Sequence, residues 1–191
     1  MNLKSFWSDA LRSGAILGGV MALSAIFENY LLVSADLSLG SLSSFYALEA
    51  LVAVALYIYL LVRFTRCAAV LAEQEVGFNF GQAFSYVLAV SMLAGVIVGL
   101  AKTLYVAAIG YDVYVGGLLS RLEQLHTLYL DMGFRSDDLK MINELAQGVR
   151  TMEQPSIWSN IFSSLYNYML LSGVPGLIIA GVVSRRKITK E

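Results

Sequence analysis

Four separate stretches of this sequence, residues 13–33, 44–64, 81–109 and 157–183, are each apolar over about twenty residues or more. A helix rises about 1.5 Å per residue, so each can cross a hydrocarbon layer about 30 Å thick. A chain with four such stretches is predicted to be all-α: four transmembrane helices forming a bundle, with aqueous segments between them. We read residues 1–191 as a single integral membrane domain, with residues 110–156 as a helical loop within it.

The rest of the composition removes whole function classes. The chain is 58% hydrophobic and 14% charged, where a soluble domain carries about 25% charged residues. A net charge of −1 offers no basic face for nucleic acid. One cysteine, Cys67, rules out an internal disulfide and a cysteine-based zinc site. One histidine, His126, leaves histidine-rich metal chemistry without ligands, and a solvated or capping role suits it better. No GxxxxGK[ST], HExxH or GxSxG stretch occurs. The expectation is a protein without metal, cofactor or catalytic set, and not an enzyme. A cleaved signal peptide competes for the first span, because Lys4 and Arg12 precede it and Val33-Ser34-Ala35 resembles a cleavage site. Its apolar stretch is too long for that, and three more spans follow.

Basic residues beside the spans set the expected orientation. Lys4 and Arg12 flank the first span, Arg63 and Arg66 close the second, and Arg185, Arg186, Lys187 and Lys190 follow the fourth. The short first loop holds only Asp36. Both termini should therefore face the cytoplasm, and the long third loop the outside. In that loop Leu118, Leu122, Leu125 and Leu128 recur at helical spacing, after a break at Gly110 or at Gly116-Gly117. Gly133 ends this helix. Ser136, Asp137 and Asp138 then start a second one, striped by Leu139, Ile142, Leu145 and Val149. Pro155 marks the turn into the fourth span. The loop is predicted to be a small helical hairpin whose stripes meet each other or lie on the membrane surface.

The third span is entered through "GFNFGQAFSY", residues 77–86. Glu73 and Glu75 before it are aqueous, Gly77 permits a turn, and Phe78 and Phe80 suit the interface, where one side of a ring meets lipid and the other water. Gln82 can bond freed amides. The Gly77–Gly81 spacing serves the turn better than helix dimerisation. "GFNFGQAFSYVLAVSMLAGVIVG" resembles the opening of the third span in a bacterial family known as domain of unknown function 4199. "MGFRSDDLKMINELAQGVRTMEQPS" is similar to that family's external acidic helix, and "VSRRKITK" to its basic tail. The resemblance implies a four-span protein of the bacterial inner membrane. It implies no activity and carries over no site residues.

Four polar residues fall inside the spans at similar depth in the outer half: Glu28, Glu49, Lys102 and Asn167. Three lie on small-residue stripes: Gly14, Gly18, Met21, Ala25 and Glu28; Ser91, Gly95, Gly99 and Lys102; and Asn160, Ser164 and Asn167. Small residues let helices approach closely in lipid, so these stripes point inward. A charge left facing lipid at mid-depth costs about 2.5–3.5 kcal/mol on insertion scales, so partners are expected. The four form a candidate intramembrane cluster, with Lys102 bonding Glu28, Glu49 or both. The cluster either fixes helix register or forms a proton or ligand site, with one carboxylate left uncompensated. Lys102 could also snorkel outward. "SGVPG", residues 172–176, should bend the fourth span, since Pro175 frees a carbonyl a turn earlier. The expected function is a non-enzymatic accessory or scaffold protein, or an oligomeric subunit. Its partners would be membrane lipid and a second copy or another membrane protein. A small transporter or lipid-handling protein using the Glu/Lys cluster is the alternative.

Overall fold

The computed structural model describes residues 3–73, 78–134 and 136–184. Among them are six helices and no strand: α1 (Leu3–Val33), α2 (Leu39–Glu73), α3 (Phe80–Ile109), α4 (Tyr111–Asp131), α5 (Ser136–Arg150) and α6 (Ile157–Ser184). α1, α2, α3 and α6 are each long and apolar enough to cross a membrane. They contain the four stretches anticipated from hydropathy, and α1 and α2 extend well beyond them. Glu75, Gly77 and the basic tail of Arg185, Arg186, Lys187 and Lys190 lie outside the described residues.

α3 is the hub, with its most extensive contacts to α6 and then to α1. Glycine makes both seams. At Gly14 and Gly18 of α1, an added Cβ would lie 2.7 Å from Leu93 Cβ and 2.8 Å from Ile97 Cδ1 of α3. At Gly95 and Gly99 of α3 the neighbour is backbone: a Cβ would lie 2.8 Å from Leu165 Cα and 2.6 Å from Ile161 Cα of α6. Lipid tails are as apolar as leucine, so association within a membrane relies on close van der Waals approach, which such positions allow. α2 is as apolar as α3 but stands at the edge, with 11% of its apolar stretch buried against 50% for α3.

Buried polar side chains are tied across these seams, as hydrocarbon requires. Tyr57 of α2 donates to Ser91 Oγ of α3 at 2.9 Å, and its ring meets Tyr168 of α6 edge-on. Tyr86 of α3 donates to Asp9 Oδ2 of α1 at 2.6 Å and lies 2.9 Å from Ser13 Oγ. Phe6 and Phe78 set their rings edge-on to Tyr86, closing the end of the assembly that holds the N-terminus.

The start of α3 explains the "GFNFGQ" segment. Asn79 is the N-cap, accepting from the Gln82 amide at 2.9 Å, while Gln82 Oε1 accepts from the Asn79 amide at 3.1 Å. This reciprocal capping box satisfies two of the amides that a helix start leaves free. Asn79→Ala should lower stability by about 1 kcal/mol, read as a drop in the thermal midpoint in detergent, and Gln82→Ala should cost less.

α3 passes into α4 through one residue, Gly110, at φ 91°. That backbone region is disfavoured for residues with a Cβ, so the sharp turn falls on glycine. Gly117 has another task. It lets α4 cross the end of α1, where a Cβ would lie 2.7 Å from Val33 O. Gly133, at φ 70°, ends α4 with its amide on Leu130 O, and the Phe134 amide bonds Tyr129 O. α5 folds back on α4, burying Ile142. Ser156 caps α6 through the Ser159 amide at 3.1 Å. α6 then continues past Pro175 to Ser184 as one helix, without the break of a discontinuous transport helix.

Candidate functional site

Glu28, Glu49 and Lys102 lie towards the end of the assembly that carries α4 and α5. Glu28 lies on the glycine stripe of α1, just beyond the buried Met21 and Ala25. Glu49 faces it from α2, near enough for the two carboxyl groups to act on each other. Ser24 of α1 donates to Glu49 Oε1. Glu49 Oε2 is buried and has no donor among the described residues. A carboxylate only accepts, so the contact with Glu28 becomes a hydrogen bond when one of the pair carries a proton. Tyr46 of α2 donates to the main-chain oxygen of Glu28 at 2.8 Å, tying the two helices at this level.

Lys102 and Asn167 stand differently from expectation. Lys102 is near enough for its charge to act on Glu28, yet no carboxylate of a described residue lies within 4.0 Å of it. The expected ion pair is not closed. Lys102 instead lines a cavity of about 240 Å³ that reaches the connection between α5 and α6. Asn167 is exposed on α6. The inward face of α6 runs through Ile161, Ser164, Tyr168, Ser172 and Gly176, so the helical drift puts Tyr168 inside and turns its neighbour out. Ser24 and Tyr46 supply the polar contacts expected of Asn167.

Beside the carboxyl pair an apolar groove of about 490 Å³ lies between α1 and α2. Leu23, Phe27, Phe45 and Leu48 are among its walls, and Ser24 and Glu49 are its polar members. Hydrocarbon suits those walls, so the groove can take an acyl chain beside Glu49.

Arg121 of α4 has a role that spacing did not reveal. Its guanidinium donates to Leu32 O at 2.9 Å, Leu37 O at 2.7 Å and Leu31 O at 3.3 Å, and also to Ala35 O. Gln124 Oε1 accepts from it at 3.0 Å. A helix ends with unpaired carbonyls and a partial negative charge, and α1 has no basic residue in its last turn. The cation therefore arrives from α4, about ninety residues later in the chain. The missing cap on "LLVSADLS" was the available signal, but nothing in it pointed to Arg121.

Among the described residues no group of three His, Cys, Asp or Glu is placed to hold a metal ion. The carboxyl pair can exchange a proton or hold a register, and the Lys102 cavity presents donors. In comparison with known proteins, a family model described as Protein of unknown function (DUF4199) matches residues 12–185. No curated protein and no solved structure matches the chain.

Proposed function

The chain belongs to that family of unknown function, and from this premise we propose that it is a non-catalytic accessory subunit of the bacterial inner membrane. Its α1–α3–α6 core holds α2 out for lateral contact with a membrane partner or a second copy. The observation carrying this reading is the contrast between seams. α1, α3 and α6 close on one another through glycines without room for a methyl group. α2, equally apolar, keeps most of its apolar stretch uncovered. Two packing regimes in one small assembly fit a rigid core and an element left for something else. Both termini lie on the cytoplasmic side in this arrangement. Arg12, Arg63 and Arg66 are exposed towards that end, while the short α1–α2 connection at the other end holds no Lys or Arg.

The lipid-handling reading rests on a different observation, the apolar groove that reaches Glu49 between α1 and α2. One experiment separates the two. A photo-crosslinking residue replaces Leu51 on α2, 71% exposed, or Val174 on α6, 70% exposed, in native membranes. The accessory reading expects a single stoichiometric protein product from position 51, identified by mass spectrometry, and lipid adducts from position 174. Lipid adducts from both positions reject it and leave lipid handling as the better account.

A further inference from the structure

The cavity beside Lys102 is a separate place from the groove. It lies where α1, α3 and α4 meet the start of α6, with Asn29, Lys102, Thr103, Tyr114, Gln154 and Asn160 among its walls. At about 240 Å³ it is smaller than the roughly 300–1,000 Å³ of pockets that enclose drug-sized ligands, so it selects a small group.

The hydrogen bonds around the cavity leave donors over. Asn29 Nδ2 donates to Ala25 O at 2.7 Å. Thr103 donates to Gly99 O at 3.0 Å, and Asn160 Nδ2 donates to Thr103 Oγ1 at 3.0 Å. Tyr111, at the rim, donates to Met152 O at 2.7 Å. These bonds hold the walls in place and use one N–H of each asparagine. The second N–H of each remains, together with the Tyr114 hydroxyl, the Gln154 amide and the three N–H groups of Lys102. Burial, with Tyr111 and Tyr105 nearby, pushes the Tyr114 phenol above its ordinary range, so it keeps its proton and its capacity to donate. Lys102 has no carboxylate within 4.0 Å among the described residues, so no ion pair with any of them takes up its charge.

We propose that this cavity binds a phosphate group, carried by an anionic lipid headgroup or free in solution, on the ammonium of Lys102 with Tyr114 and Gln154 as neutral donors. Depth agrees with that chemistry. Lys102 lies seven residues before the end of α3 at Ile109, about 10 Å along the helix at 1.5 Å per residue. A lysine stem spans part of that distance and brings the ammonium towards the headgroup level. Glu28 draws on the same charge from below, so it competes with the phosphate. The inference does not depend on whether α2 contacts a partner.

The test uses the full chain in nanodiscs of phosphatidylcholine, of phosphatidylcholine with phosphatidylglycerol, and of phosphatidylcholine with inorganic phosphate in the buffer. Two quantities are read: the thermal midpoint, and the rate at which an amine-acylating reagent modifies Lys102. In wild type, phosphatidylglycerol or phosphate should raise the midpoint by several degrees and slow the modification severalfold. A response to phosphatidylglycerol alone identifies the lipid headgroup, and a response to inorganic phosphate the free anion. Lys102→Met should abolish the midpoint shift, Tyr114→Phe should reduce it, and Glu28→Gln should retain or enlarge it. No protection of wild-type Lys102 by either probe overturns the proposal, a reading that needs no variant to fold. So does a full midpoint shift in Lys102→Met, or its loss in Glu28→Gln, which would make Lys102 only the counter-charge of the carboxyl pair.

Discussion

Gly99→Val should disrupt the assembly more than any other single change at a glycine. The first atom added there would lie 2.6 Å from Ile161 Cα and 2.7 Å from Asn160 O, and both neighbours are main chain. A side chain can rotate away from an intruding methyl, but a helix backbone can only retreat as a body. Overpacking a tight site costs about 1–3 kcal/mol, and with backbone opposite, the upper end or beyond is expected. The retreat would also loosen the neighbouring contact at Gly95, where Leu165 Cα is 2.8 Å from an added Cβ. Thermal unfolding in detergent measures the loss. Gly19→Ala is the control, since nothing lies within 4 Å of a Cβ there. It should be neutral or slightly stabilising, because glycine within a helix is less favourable than alanine by roughly 0.5–1 kcal/mol. Equal midpoints for Gly99→Val and Gly19→Ala would mean that α3 and α6 do not meet along this stripe.

Arg121→Met should release the α4–α5 hairpin from the rest of the molecule. It removes every donor that the guanidinium gives to Leu31, Leu32, Ala35 and Leu37. Hydrogen bonds to a charged group contribute about 1.5–3 kcal/mol each. Water can reach this half-buried end of α1 and recover part of the loss, so a net cost of about 2–4 kcal/mol is expected. Arg121→Lys should recover little of it, because an ammonium cannot fork across several carbonyls as a planar guanidinium does. The expected readout is faster proteolysis in the α1–α2 and α4–α5 connections, with the membrane helices still helical by circular dichroism. Unchanged cleavage in Arg121→Met would show that the α1 end is held by something else.

Much of the architecture was legible because its causes are local. Hydropathy marks α1, α2, α3 and α6, since a segment that crosses hydrocarbon has to be apolar along its own length. Gly110, Gly133 and Pro155 mark helix boundaries because backbone sterics act within a few residues. Asn79 and Gln82 carry a capping box at the spacing such boxes use, and only Gln82 was singled out. The stripe Ser91, Gly95, Gly99 and Lys102 was legible as a packing face for the same reason.

The candidate site was legible in part. Glu28 and Glu49 could be placed at one depth from their positions along two spans, and the structure brings them together. Their partners were not legible. Ser24 and Tyr46 are ordinary residues until α1 and α2 are laid side by side. Asn167 and Tyr168 are adjacent in sequence, and a fraction of a helical turn decides which one faces inward.

Four membrane-crossing helices with a helical hairpin before the last of them follow from the residues of each segment alone, because hydrogen bonding and solvation in hydrocarbon act on each segment separately. That α3 is the hub and α2 the edge, that Arg121 caps α1 from another helix, and that Lys102 turns to a cavity instead of closing an ion pair with a described carboxylate emerge when the helices pack. These outcomes depend on which helices become neighbours and at what rotation. Both are set by the sum of many contacts between segments distant in the chain, and no segment carries that sum alone.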